Sequence, residues 1–186
     1  MKKKAYPEQV RTALHQAIRS ITEDLPACVK RPGKDFSRKR KLSLHTMLLM
    51  LVGMGGNSLS KELYDWLGYS SETATTSAFV QQRDKIRPEA LKLLFHEFTR
   101  LAVPENLLQD YRLLAVDGSD LRLPSNSNDE FSSIRNSEDS KNYNLVHLDA
   151  MYDLIGKVYV DASMQPKKGI NEHKALVSMV DQSEIS

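Results

Sequence analysis

Residues 111–124, YRLLAVDGSDLRLP, constrain the fold more than any other stretch. Leu113, Leu114, Ala115 and Val116 form an unbroken apolar run. Such a run suits a strand buried on both faces in the middle of a sheet. Asp117 ends the run, and Gly118 and Ser119 follow. A carboxylate at the end of a buried strand, ahead of a glycine, stands where metal-dependent sites are often built. The same Asp117-Gly118 pair also reads as a plain turn.

The rest of the chain bounds what this strand can belong to. At 186 residues it is long enough for one ordinary domain or two small ones, and 40% hydrophobic content argues against disorder. Cys28 is the single cysteine, which excludes an intrachain disulfide and a CxxC zinc motif and fits a reducing compartment. The basic start, MKKKAYPEQVRT, leads into no apolar stretch of the secretory kind. The longest apolar run, 47–54, is far too short to span a membrane. A cytoplasmic protein, nucleoid-associated when bound to DNA, is the expectation.

The net charge of +2 conceals an asymmetry. Residues 1–46 hold 12 basic and 4 acidic residues, 12 − 4 = +8, whereas residues 105–153 hold 4 basic and 10 acidic, 4 − 10 = −6. The first segment is suited to meet an anionic polymer. The second is suited to hold cations or to be solvated.

Helical periodicity dominates the first hundred residues. Val10, Leu14, Ala17, Ile18 and Ile21 place a helix over 8–25, stopped by Pro26. The segment 30–41, KRPGKDFSRKRK, is an exposed basic loop. Arg38, Lys39, Arg40 and Lys41 are candidate DNA-phosphate contacts, a salt-dependent and sequence-blind interaction; the alternative is a solvated charge run. Ser43 is an expected N-cap for a buried helix over 44–52. Ser58 caps a short helix that ends at Gly68, and Thr75 or Thr76 caps a third. Short helices joined by tight turns suggest a helix-turn-helix arrangement, with Gln81, Gln82, Arg83 and Lys85 offered to a DNA groove; a plain helical bundle is the alternative. A helix from Pro88 to about 102 carries an apolar stripe of Leu91, Leu94, Phe95, Phe98 and Leu101, expected to be core.

Beyond Pro124 the character changes. Residues 125–142 are rich in Ser, Asn, Asp and Glu and read as a long mobile loop. Residues 143–152 and 157–164 alternate, with Val146, Leu148, Ala150 and Tyr152 on one face and Val158, Val160, Ala162 and Met164 on one face. They predict an antiparallel hairpin turning at 153–156 and forming a three-stranded sheet with 113–116. Asp149 and Asp161 fall on the expected solvent side. Asp120 reads as a strand-edge acid or a neighbour of Asp117. Asn171 is expected to cap a helix over 172–180 with Leu176, Met179 and Val180 inward; helix capping and the dipole account for Glu172. His147 and His173 read as structural or exposed.

Three strands and a helix, with an acid on the first strand, match the opening half of an RNase H-like domain. Here the sequence resembles the DDE transposases of bacterial insertion sequences, specifically the insertion sequence 4 family. The resemblance rests on LLAVDGSDLRLP at 113–124, YNLVHLDAMYDLIGKVYVDASMQP at 143–166, NEHKALVSMVD at 171–181 and SAFVQQRDKI at 77–86. It implies three carboxylates, Asp, Asp and Glu, holding two Mg²⁺ or Mn²⁺ ions roughly 4 Å apart. One ion would activate the attacking hydroxyl and the other would steady the leaving oxygen. Asp117 matches the first acid, as catalytic residue and metal ligand. The second Asp and the Glu would lie beyond Ser186, so the chain is expected to be an N-terminal portion that is inactive alone.

The expected fold class is therefore α+β: a helical, basic, helix-turn-helix-like DNA-binding region over 1–104, then the first half of an RNase H-like α/β domain over 105–186. The expected partners are double-stranded DNA and a second copy in a homodimer, with no membrane. A non-enzymatic DNA-binding regulator is the alternative.

Overall fold

The computed structural model describes residues 6–38, 40–71, 73–102, 108–109, 111–135 and 141–182. Among them the fold is mixed α+β, with seven α-helices and a four-stranded antiparallel sheet. The chain divides into two compact units, residues 1–102 and 103–186.

The first unit is all helical: α1 (Tyr6–Glu23), α2 (Leu25–Cys28), α3 (Leu44–Gly53), α4 (Leu59–Leu67), α5 (Thr76–Arg83) and α6 (Glu89–Ala102). α1 packs on α6 and α3. Its inner positions Ala17, Ile18 and Ile21 join Met47, Leu48, Met50, Leu63, Phe79 and Leu94 in one core. The helix starts follow local chemistry. Ser43, Ser58 and Thr75 each have extended backbone, and each side chain accepts a hydrogen bond from the backbone N–H three residues on. Gly68 ends α4 at φ +87°, a conformation that a Cβ would strain.

Pro26 does not stop α1, which ends at Glu23. It sits in the first turn of α2, where a missing N–H costs nothing. The α6 stripe is core only in part. Leu94 is buried, Leu91 is exposed, Phe95, Phe98 and Leu101 are half-buried, and Ala90 and Thr99 complete the inner face.

The second unit holds β1 (Leu114–Leu123), β2 (Ser133–Ile134), β3 (Tyr143–Asp153), β4 (Val158–Pro166) and α7 (Glu172–Gln182). β3 is central, with β1 along one edge and β4 and the short β2 along the other, all antiparallel. A register shift between Met151 and Tyr152 marks a bulge against β4. Asp117-Gly118 is not a turn: β1 continues for six residues past Asp117 to Leu123, in unbroken register with β3.

The described part of 125–142 is folded down rather than loose. Buried Asn144 accepts from Asn126 N (2.7 Å) and donates to Asn126 O and Ser132 Oγ (both 2.9 Å). Residues 136–140 lie outside the described residues.

The sheet is covered on the face opposite to the one its pattern suggests. α7 packs on β3 and β4 through Ala175 and Met179, over buried Met151. Alternation places Asp149, Asp153 and Asp161 on that same face, and all three are buried. Of the expected core, Val146 is buried, Leu148, Ala150, Tyr152, Val158, Val160 and Ala162 are half-buried, and Met164 is 65% exposed. α7 is rotated accordingly: Val180 is exposed.

Candidate functional site

Two constellations carry chemistry, one in each unit. In the first, the segment after α2 is laid beside the α5–α6 connection. Lys30 N donates to Lys85 O and Arg87 N to Cys28 O, both at 2.9 Å, around a Val29–Ile86 bridge. These bonds bring two separated basic groups to one cleft of about 410 Å³. Its lining includes Arg31, Lys34, Arg38, Arg40 and Lys85, with Asp35 the one carboxylate.

Asp35 is buried and committed to Arg31. It accepts from the Arg31 side chain at 2.9 and 3.3 Å and from its backbone N–H at 3.1 Å. The Arg31 guanidinium holds the Asp35 carboxyl below its usual range, against the opposing effect of burial. Arg38 and Arg40 are exposed and have no carboxylate partner among the described residues. Lys41 is exposed but lies outside the cleft lining, and Lys39 lies outside the described residues.

The groove-reading set is not presented together. Gln81 and Arg83 are exposed on α5, but Gln82 is turned inward and buried, and it accepts from Lys85 Nζ at 3.1 Å. Lys85 lies beyond the end of α5 and lines the basic cleft. Segment 68–75 between α4 and α5 is longer than the three- or four-residue turn of a helix-turn-helix.

In the second unit, Asp117 lies in mid-β1 opposite Ala150, exposed, and its carboxylate has no partner among the described residues. No other carboxylate of the described strands shares its face; its cross-strand neighbours are Ala150 and Ala162. Gly118 points to the α7 side, opposite Asp149, and Asp120 pairs in register with His147. Asp120 is therefore no neighbour of Asp117. It is salt-bridged to Lys167 (2.5 Å) and bonded to His147 Nδ1 (2.8 Å).

His147 is the centre of this second constellation. A carboxylate can only accept, so Nδ1 carries a proton and donates to Asp120 Oδ1. Nε2 is buried without a hydrogen-bond partner, 3.6 Å from Asp149 Oδ1 and 3.3 Å from Glu172 Oε1. Asp149 Oδ1 also lacks a hydrogen bond, while Oδ2 accepts from Gln165 Nε2 at 2.6 Å. The Asp120 hydrogen bond raises the imidazole pKa above its ordinary value despite burial, and the charges of Asp149 and Glu172 add to it. Lys167, and then His147, hold Asp120 below the usual carboxylate range.

Gly118 makes this arrangement possible. A Cβ there would lie 2.6 Å from His147 Nε2 and 3.2 Å from Glu172 Oε1. His147, Asp149 and Glu172 form a group able to hold a metal ion, with ligand atoms within 4.8 Å of one another. Sequence reasoning missed this group because its members look ordinary singly. The available signal was the i, i+2 pair His147 and Asp149 on one strand face.

Comparison with known proteins found no matching family model, no matching curated protein and no matching solved structure. No helix among the described residues is long and apolar enough to cross a membrane.

Proposed function

We propose that the chain acts on double-stranded DNA as part of a DDE transposase. In this reading the helical unit grips the phosphate backbone, and the second unit contributes the first strands of an RNase H-like catalytic domain. The observation that carries the proposal is the basic cleft. Two cationic groups separated by more than forty residues line one concavity, and Arg38 and Arg40 there have no carboxylate partner among the described residues. Unpaired guanidiniums in a cleft attract phosphate, because each bound phosphate releases counterions and Arg matches its oxygens two at a time.

The second unit supports the catalytic part of the reading through its order. An antiparallel β1–β3–β4 arrangement is followed by a helix, and Asp117 stands free in mid-β1. Its hard oxygen donors suit Mg²⁺ or Mn²⁺, which would supply an activated hydroxyl nucleophile once the other two acids of the DDE set join it. Among the described strands Asp117 has no second carboxylate on its face, and one acid cannot assemble a two-metal site. The described residues by themselves therefore bind DNA without cutting it, which is also the behaviour of a DNA-binding regulator.

Fluorescence anisotropy with a labelled duplex over a salt series tests the reading. Affinity should fall linearly with salt on a log–log scale. Arg38→Ala with Arg40→Ala should flatten that slope by about 1.8, at about 0.9 per phosphate contact. Salt-independent binding, or a slope unaltered by the double substitution, would refute the cleft as the DNA site. Mg²⁺-dependent nicking by this chain, lost in Asp117→Asn, would show that it is catalytically complete after all.

A further inference from the structure

We infer that His147, Asp149 and Glu172 form a site for a divalent transition-metal ion of the zinc type, bridging β3 and α7. The inference does not rest on the DNA reading. Asp117 and the basic cleft play no part in it, and alternation along β1 points Asp117 to the other face of the sheet.

The first argument is electrostatic. With Nδ1 donating to Asp120, the neutral imidazole aims its Nε2 lone pair at two carboxylate oxygens, a repulsive arrangement unless a cation lies between them. A proton on Nε2 would also offset that repulsion, but Nε2 and Asp149 Oδ1 are both buried and neither makes the hydrogen bond that would hold a proton between them. Asp120 is neutralised by Lys167, which leaves Asp149 and Glu172 as two uncompensated negative charges. A dication matches them.

The second argument is geometric. Tetrahedral ligands about 2.0–2.2 Å from an ion lie about 3.3–3.6 Å from one another. Two of the three ligand pairs meet that span: Nε2 is 3.3 Å from Glu172 Oε1 and 3.6 Å from Asp149 Oδ1, and all three ligand atoms lie within 4.8 Å of one another.

The third argument is the support behind the ligands. Metal-binding histidines commonly donate the other ring N–H to a carboxylate, which fixes the tautomer and raises ligand basicity. Asp120 does this for His147, and Gln165 holds the remaining oxygen of Asp149. Gln165 is itself fixed, since its Oε1 accepts from Asn171 N at 3.0 Å, next to Glu172. The imidazole selects zinc-like ions over Mg²⁺ and Ca²⁺. The Glu172 side chain is 67% exposed, so the ion has a path from solvent and a fourth position open to water.

The test uses the whole chain, freed of metal with a chelator. Isothermal titration with Zn²⁺ should give one site per chain, and Zn²⁺ should raise Tm. Co²⁺ should give the intense visible bands of a tetrahedral ion. Glu172→Gln, an exposed change that leaves helix capping by Asn171 in place, should weaken Zn²⁺ at least tenfold and abolish the Tm shift. Asp120→Asn should weaken it by about tenfold through the ring orientation, and Glu130→Gln, on an exposed acid elsewhere in the unit, should change nothing. No stoichiometric binding by the wild type would mean that His147 is simply a buried cation among acids, and the inference would fail. It would also fail if Glu172→Gln bound as tightly as the wild type, or if millimolar Mg²⁺ displaced the ion.

Discussion

Asp153 shows how a carboxylate can occupy a core. It is buried at the end of β3, where desolvation alone would raise its pKa. The N–H groups of Gly156 (2.7 Å) and Ile155 (3.0 Å) and the Arg112 guanidinium (2.9 Å) outweigh that effect and hold it below the usual range. The same bonds close the β3–β4 turn. A group with a depressed folded pKa contributes its full stability above the unfolded value, about 3.9, and loses it as pH falls through the lower folded value. Asp153→Asn should cost about 1–3 kcal/mol at pH 7 in urea melts. The variant should also lose stability less steeply than the wild type below pH 4; parallel acid limbs would contradict this account.

At the scale of elements, helix starts depend on local chemistry. The Ser58 hydroxyl accepts from Lys61 N, and the turn before it is fixed by buried Glu62, whose Oε1 accepts from Gly55 N (3.1 Å) and Asn57 N (3.2 Å). Ser58→Ala removes only the cap, so thermal denaturation should report a loss of about 1 kcal/mol. Ser58→Gly should lose only a few tenths. Equal losses would mean that the hydroxyl does more than cap. These caps were legible in the sequence because a cap needs only a few consecutive residues. The inward turn of Gln82 was not legible, because it depends on packing between α5 and residues far from it in the chain.

At the scale of the molecule, each unit has its own core, and the two cores differ in kind. The helical unit buries a continuous apolar cluster. Among its described residues the second unit buries the hydrophobics Val146, Met151, Ala175 and Met179, beside Ser132, Asn144, His147, Asp149, Asp153 and Asp161. On the sheet face away from α7 Val146 is buried, but Leu121 (40%), Tyr159 (58%) and Met164 (65%) are exposed, with Tyr152 packed edge-on against Tyr159. Apolar surface of this kind, next to an edge of β1 that pairs with no strand among the described residues, favours association. Sedimentation should show self-association that rises with concentration and falls in Leu121→Lys with Met164→Lys. A monomer at all concentrations would count against it.

By itself the sequence determined most elements, though not α2, β2 or the continuation of β1 past Asp117: where the capped helices begin, that 143–166 is a hairpin, and that the strand bearing Asp117 joins it in one sheet. These follow from periodicity, capping and turn chemistry, which act over a few residues. Only the tertiary structure decided which face of that sheet α7 covers. An alternating strand defines two faces, and its pattern favours the apolar one, but the covering helix goes where the chain leaving β4 carries it. That path buried the acids, joined His147 and Asp149 to Glu172, and left Leu121, Tyr159 and Met164 of the apolar face exposed. Tertiary packing likewise drew Lys85 away from α5 and into the cleft of Arg38 and Arg40, because the bridge between Val29 and Ile86 joins segments that no local rule connects.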